Sequence, residues 1–181
     1  MNIPKLWSVM LNITLLTTMR RSLIPLVWIA AATAQGQPAS GHLLQGTWTL
    51  VRAEVIAPDG TKGIDPAYGP DAKGLFIVDT QGRYSLQIFR PDRPRFASGD
   101  KTKGTADEYK AAVIGTSTHI GRVTVDTALH TLLFHVECAS FPNQDGTEST
   151  RTYQLSNGEL SYTIPRRPDG SRAVSVWRRV E

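Results

Sequence analysis

Beyond residue 43 the chain is a succession of short stretches in which apolar and polar residues alternate with period two, each ended by turn residues. Such alternation sends successive side chains to opposite faces of an extended backbone, so it specifies strands with one face turned to a core. The stretches lie at 48–56 (WTLVRAEVI), 74–79 (GLFIVD), 84–90 (YSLQIFR), 119–126 (HIGRVTVD), 131–138 (TLLFHVEC), 148–155, 160–164 and 173–180. Pro58-Asp59-Gly60, Gln81-Gly82 and Asn157-Gly158 separate them. In such turns Pro presets φ, Gly accepts positive φ, and Asn-Gly is the strongest short hairpin signal. Thr105, with Glu108 three residues on, predicts an N-cap for a short helix ending near Ile114, between the third and fourth strands. Eight antiparallel strands in sequential order predict an all-β fold, an eight-stranded up-and-down barrel whose closure leaves no exposed edge. An open sandwich is the alternative, but it needs longer crossovers than most of these connections. A barrel of eight strands has an interior just large enough for one small ligand.

Residues 1–34 are of a different kind. They hold Lys5, Arg20 and Arg21 and no acidic residue, whereas the rest of the chain carries 17 basic and 16 acidic residues. The net charge of +4 therefore belongs mostly to this segment, and no nucleic-acid footprint is expected on the folded part. From Met19 the chain reads MRRSLIPLVWIAAATAQ: two arginines, an apolar run, then Ala32-Thr33-Ala34. That order is a secretory signal with a small-x-small cleavage site. Export to the periplasm or medium is expected, with cleavage near Ala34 and translation starting at Met1 or Met19. The alternative, an uncleaved anchor over 6–34, puts Arg20-Arg21 in hydrocarbon. Residues 35–42 are expected to be a flexible linker and 43–181 the barrel domain, with no stable membrane span after cleavage. The single cysteine, Cys138, excludes an internal disulfide; its alternation with Leu132, Phe134 and Val136 predicts a small buried hydrophobe.

Gly46-Thr47-Trp48 on the first strand and Trp177-Arg178 on the last resemble the G-x-W and arginine-bearing final strand of the lipocalin and calycin superfamily. The fuller resemblance is to the bacterial and fungal lipocalin-like domain family, from about residue 44 to 178. It is carried by GTWTLVRAEV, AYGPDAKGLFIV, RPDRPRFASGD, EYKAA, HVECASFPN and VSVWRR. The resemblance implies a barrel in which Arg178 covers Trp48 at the closed end. Thr118-His119-Ile120-Gly121 and Gln144-Asp145 replace residues that are more apolar in that family, which implies a partly polar ligand.

The chain has no G-x-S-x-G, no phosphate-cradling glycine loop and no H-E-x-x-H, so no nucleophile, metal or cofactor is implied. If the turn between the fourth and fifth strands centres on Ala128, Gly121 lies opposite His135 and His119 opposite Glu137, all on one face. A His119–His135–Glu137 cluster there is a divalent metal site, a general acid–base pair or a hydrogen-bonded network that orients a ligand, unless that face is the solvated exterior with Phe134 and Val136 inside; the segment's resemblance favours His135 in the cavity. Trp48, Leu50, Arg52 and Glu54 share a parity, so Glu54 is a second candidate for the interior, unless strand twist leaves Arg52 and Glu54 solvated. Gln87 and Arg151 sit mid-strand among apolar neighbours and are candidate directional contacts. Tyr109, on the helix, is the expected inward residue of a lid. Arg90, Arg93 and Arg95 are either an anion lure or local partners of Asp92 and Asp100. Two functions fit: an exported binder of a small hydrophobic or partly polar molecule, or a cofactor-independent isomerase or cyclase using His135, His119 or Glu54. The sequence leaves the oligomeric state open.

Overall fold

The computed structural model describes residues 43–180. Nine strands follow in order: β1 (Gly46–Ile56), β2 (Lys62–Ile64), β3 (Lys73–Val78), β4 (Arg83–Phe89), β5 (Thr116–Asp126), β6 (Thr131–Ala139), β7 (Glu148–Ser156), β8 (Glu159–Thr163) and β9 (Arg172–Arg179). Neighbouring strands pair antiparallel, and β9 returns to pair with β1 along most of its length. The closed wall therefore has eight strands, β1 and β3–β9, while β2 pairs only with Glu54, Val55 and Ile56 of β1. The predicted leader and linker lie outside the described residues.

Local chemistry sets the connections. Asn157 (φ 52°) and Gly158 (φ 75°) both occupy the left-handed region between Ser156 and Glu159, the two-residue geometry whose twist matches that of antiparallel strands. In the β3–β4 turn, Asp79 Oδ1 accepts from the Gln81 and Arg83 amides at 2.8 Å. Helix α1 (Ala106–Ile114) is capped as expected, with Thr105 accepting from the Glu108 amide and Glu108 accepting from the Thr105 amide. It lies between β4 and β5, not between the third and fourth strands. The three-residue β2, too short to form an alternating run, adds a strand ahead of it.

Alternation directs one face of each strand inward. Phe76, Val78, Tyr84, Leu86, Ile88, Val123, Val125, Leu132, Phe134, Tyr162 and Trp177 form the buried interior. Trp48 closes one end: its side chain is fully buried and its Nε1–H donates to the Leu44 carbonyl at 2.8 Å. The guanidinium over its ring belongs to Arg179, 4.2 Å from the ring centroid. The expected cover, Arg178, faces outward and pairs with Glu159 at 2.6 Å. The register decides this, because Trp48 is the partner of Arg179 on β9.

Two bulges interrupt the alternation. Val51 is an extra residue against β9, between the Leu50–Trp177 and Arg52–Val176 pairs. Glu137 is an extra residue against β5, between the Gly121–Val136 and Ile120–Cys138 pairs. Each inserts one residue and reverses the facing beyond it. Cys138 is accordingly exposed instead of buried. At Gly121 a Cβ would run into the His135 carbonyl oxygen, so only glycine passes the bulge at that point.

Candidate functional site

The interior is apolar near Trp48 and Trp177 and polar towards the opposite end. Arg151 lies at the boundary. It alternates on β7 with the exposed Thr150 and Thr152, so its side chain points inward, and only 4% of its surface reaches solvent. Its guanidinium carbon stands 3.9 Å from the centroid of the Phe134 ring and 5.2 Å from that of Tyr162. Its Nε–H donates a long hydrogen bond, 3.4 Å, to the Ser149 hydroxyl. Among the described residues no carboxylate lies within ion-pair distance of it. Burying an unpaired charge costs several kcal/mol, and aromatic faces offset about 0.5–2 kcal/mol of that.

His119, inward on β5, is also buried. Its Nδ1 lies 2.8 Å from the Tyr84 hydroxyl. Burial, reinforced by the nearby Arg151 charge, lowers the pKa of the imidazole to about 3, so the ring is neutral at physiological pH. Burial likewise pushes the Tyr84 and Tyr162 hydroxyls above the usual phenol range, so both keep their protons. Arg151, Ser175 and Trp177 surround the Tyr162 hydroxyl. The buried Trp177 Nε1–H beside it completes no hydrogen bond.

Beyond Arg151 the polar end is roofed by the turn after β2. Asp65 is buried there; its amide donates to the Ala53 carbonyl at 3.0 Å, and its carbonyl accepts from the Tyr68 and Gly69 amides. The carboxylate is committed on both oxygens: Oδ1 accepts from the Ala67 amide at 3.0 Å and Oδ2 from Arg167 at 2.8 Å. Arg90 also holds the turn, donating to the Pro66 carbonyl at 3.0 Å. Between the roof and the Arg151–His119–Tyr162 layer lies a cavity of about 40 Å³, walled by Leu86, Ile88, Ile164 and Ala173. It has room for a small polar head group or a water or two.

Of the residues singled out from the sequence, the fold brings Arg151 and His119 together and leaves the other four outside. His135 faces outward, exposed, with Nδ1 3.6 Å from a Glu148 oxygen. Gly121 pairs with Val136 rather than His135, one residue away from the register that the sequence suggested, so Phe134 and Val136 line the interior. Glu137, at the bulge, reaches Arg83 at 3.3 Å on the outside. No His–His–Glu cluster forms, and among the described residues no group of three metal-ligating side chains comes together. Glu54 is paired on the outer face with Arg52 at 2.9 Å, because the Val51 bulge turns Ala53 inward in its place. Gln87 is outward between the inward Leu86 and Ile88 and donates to Ser85 at 3.4 Å. Tyr109 serves its own loop: its ring packs on Phe96, and its hydroxyl donates to the Lys101 carbonyl and accepts from the Gly104 amide, each at 3.0 Å. Arg90 pairs locally with Asp92 at 2.6 Å.

Tyr84, Tyr162 and Ser175 escaped the sequence reading, although each shares parity with apolar neighbours on its strand. Asp65 and Arg167, 102 residues apart, carry no local signal of their pairing.

The model of the lipocalin-like domain family matches residues 45–180. No curated protein matches the sequence. Among solved structures, a lipocalin-like protein from Bacteroides uniformis is similar at 16% identity and a TM-score of 0.39, covering 76% of this chain and 98% of that one. A protein described as the REP1-NXSQ fatty acid transporter aligns at 13% identity and a TM-score of 0.35, covering 76% and 96%. The fluorescent protein UnaG aligns at 16% identity and 0.35, covering 77% and 99%. With the family model spanning the whole barrel, from the residue before Gly46 to the last residue described, this chain belongs to the lipocalin-like domain family.

Proposed function

We propose that this protein is an exported binder of a small molecule, apolar along its body and polar at one end, held inside the barrel. The observation that carries the reading is the Arg151 guanidinium, buried without a carboxylate partner at the edge of an apolar interior. Folding alone gains little from such a group, since a well-packed apolar residue there is as stable or more so. A bound partner that satisfies it accounts for its presence. A charged or polar group within a mostly apolar enclosure is also the usual composition of a small-molecule site.

The catalytic alternative is less well supported by the chemistry of the interior. An imidazole that takes a proton only near pH 3 is a poor general base at neutral pH, and Glu54 lies on the outer face. His119 is better suited to donate a hydrogen bond than to move a proton.

Native mass spectrometry of the gently purified protein tests the reading. A mass increment that denaturation removes is the expected result. A bare polypeptide mass, together with no uptake of the C6 probes named below, overturns it.

A further inference from the structure

We infer that the ligand enters head first and that its buried head is a carboxylate, seated against Arg151 under the Asp65 turn. This rests on the binding reading above and names the chemistry it leaves open.

The charge count of the cavity wall comes first. Its charged side chains are Arg151, Arg167 and Asp65; His119 is neutral, and burial keeps the Tyr68 and Tyr162 hydroxyls protonated. Arg167 and Asp65 neutralise each other at 2.8 Å, and the second Asp65 oxygen is taken by the Ala67 amide. One positive charge, that of Arg151, is left over.

The hydrogen-bonding inventory points the same way. The Tyr84 hydroxyl has no other acceptor among the described residues, so it donates to His119 Nδ1, which places the ring proton on Nε2. The polar residues that line the cavity beside Arg151 are then His119, with its Nε2–H, and the hydroxyl-bearing Tyr162, Ser175, Tyr68 and Ser117, the last two bonded to each other. The Arg151 fork has five N–H donors, of which Nε makes one long bond to Ser149 and another meets the Tyr162 hydroxyl, so most of the fork is left without an acceptor. The layer is rich in donors and poor in acceptors, so its complement is a group that only accepts and carries one negative charge. A carboxylate meets both conditions and matches the planar guanidinium fork with two parallel hydrogen bonds.

Orientation follows from what surrounds the cavity. On the closed side Arg151 rests on the packed rings of Phe134 and Tyr162, which leave no path for a chain. The cavity on the other side of Arg151 has Leu86, Ile88, Ile164 and Ala173 as its apolar walls. The head therefore lies deep and the apolar body runs towards the mouth, where the turn from Asp65 to Gly69 moves aside to admit it.

Isothermal titration of the mature protein with hexanoate, 1-hexanol and acetate separates the possibilities. The wild type is expected to bind hexanoate roughly 10–100-fold more tightly than 1-hexanol, the worth of a charge-assisted hydrogen bond, and acetate more weakly than hexanoate. Arg151→Met is expected to remove the preference for hexanoate while retaining 1-hexanol, and Arg151→Lys to restore part of it. Equal affinity of the wild type for hexanoate and 1-hexanol overturns the carboxylate assignment but leaves the binding reading standing. Acetate binding as tightly as hexanoate overturns the apolar body. Failure of both C6 probes to bind overturns the inference and, with a bare native mass, the binding reading too. The wild-type comparison decides even if Arg151→Met does not fold.

Discussion

The Tyr84 hydroxyl and the His119 Nδ1 stand 2.8 Å apart inside the barrel, and the Phe134 ring lies edge-on to both, 5.1 Å from Tyr84 and 6.1 Å from His119 by centroid. The contact joins neighbouring strands β4 and β5 at their inward faces. It fixes a neutral imidazole where water is excluded and a cation, Arg151, is close.

That arrangement makes stability depend on pH. In the fold His119 takes a proton only near pH 3, whereas in an unfolded chain a histidine does so near about 6.5. Below about pH 6.5 the unfolded state binds the proton first. The stability His119 contributes is thus fully present above that value and is lost as pH falls towards 3, by up to about 1.4 kcal/mol per pH unit. Between about pH 6.5 and 5, above the titration of ordinary carboxylates, urea unfolding should show a loss of about 1–2 kcal/mol. His119→Gln should flatten that slope; a wild-type profile already flat over this interval would mean that the ring is hydrated.

Arg151 invites a test of stability separate from binding. Replacing a buried, unpaired guanidinium with the apolar Met removes a desolvation cost and two aromatic contacts. Arg151→Met is expected to leave stability unchanged or to raise it by about 1–2 kcal/mol, as at many sites where function is maintained against stability. Thermal and urea unfolding measure it. A loss above about 3 kcal/mol would show that the guanidinium is a structural pillar of the barrel.

At the closed end, Trp48 is fully buried, hydrogen-bonded to Leu44 and roofed by Arg179. Trp48→Ala should cost about 3–5 kcal/mol, the usual penalty for removing a large aromatic from a core. Arg179→Ala should cost less, about 1–2 kcal/mol, through the lost cation–π contact and its bonds to the Leu43 and Gln45 carbonyls. Denaturant midpoints with unchanged slope would establish both; a Trp48→Ala loss below about 1 kcal/mol would deny it the role of plug.

Export is tested on intact protein. The secreted or periplasmic form is expected to begin at Gln35 or within a few residues of it, and its mass reads this directly. A soluble protein retaining Met1 or Met19 would exclude cleavage at Ala34.

How far the sequence carries this account depends on where the strands are regular. Tyr84, Leu86 and Ile88 alternate without interruption, and Asn157-Gly158 admits one turn geometry, so these strands and their hairpins were legible from residue order alone. Arg151 and His119 were legible for the same reason: both obey the parity of their strands. Glu54 was not: it lies beyond the Val51 bulge, and a bulge is a property of pairing between two strands, which one strand's residues do not display. His135 obeys the parity of its own strand, outward between the inward Phe134 and Val136, and only the assumed register turns it inward. The β5–β6 register differs by one residue from that suggested by the turn, and one residue is enough to turn a side chain from the interior to solvent. The clamp of Asp65 by Arg167 is less legible still, because it joins two loops far apart in the chain whose meeting depends on closure of the whole barrel.

The small volume left among the interior side chains has a mechanical consequence. Hydrostatic pressure unfolds proteins largely by eliminating their internal voids, with volume changes of roughly 20–100 mL/mol. A barrel whose polar end leaves a cavity of about 40 Å³ has little void there to surrender, so that end of the fold should be stiff under compression. A ligand longer than its own head group must then expand the molecule to enter, and pressure should favour its release.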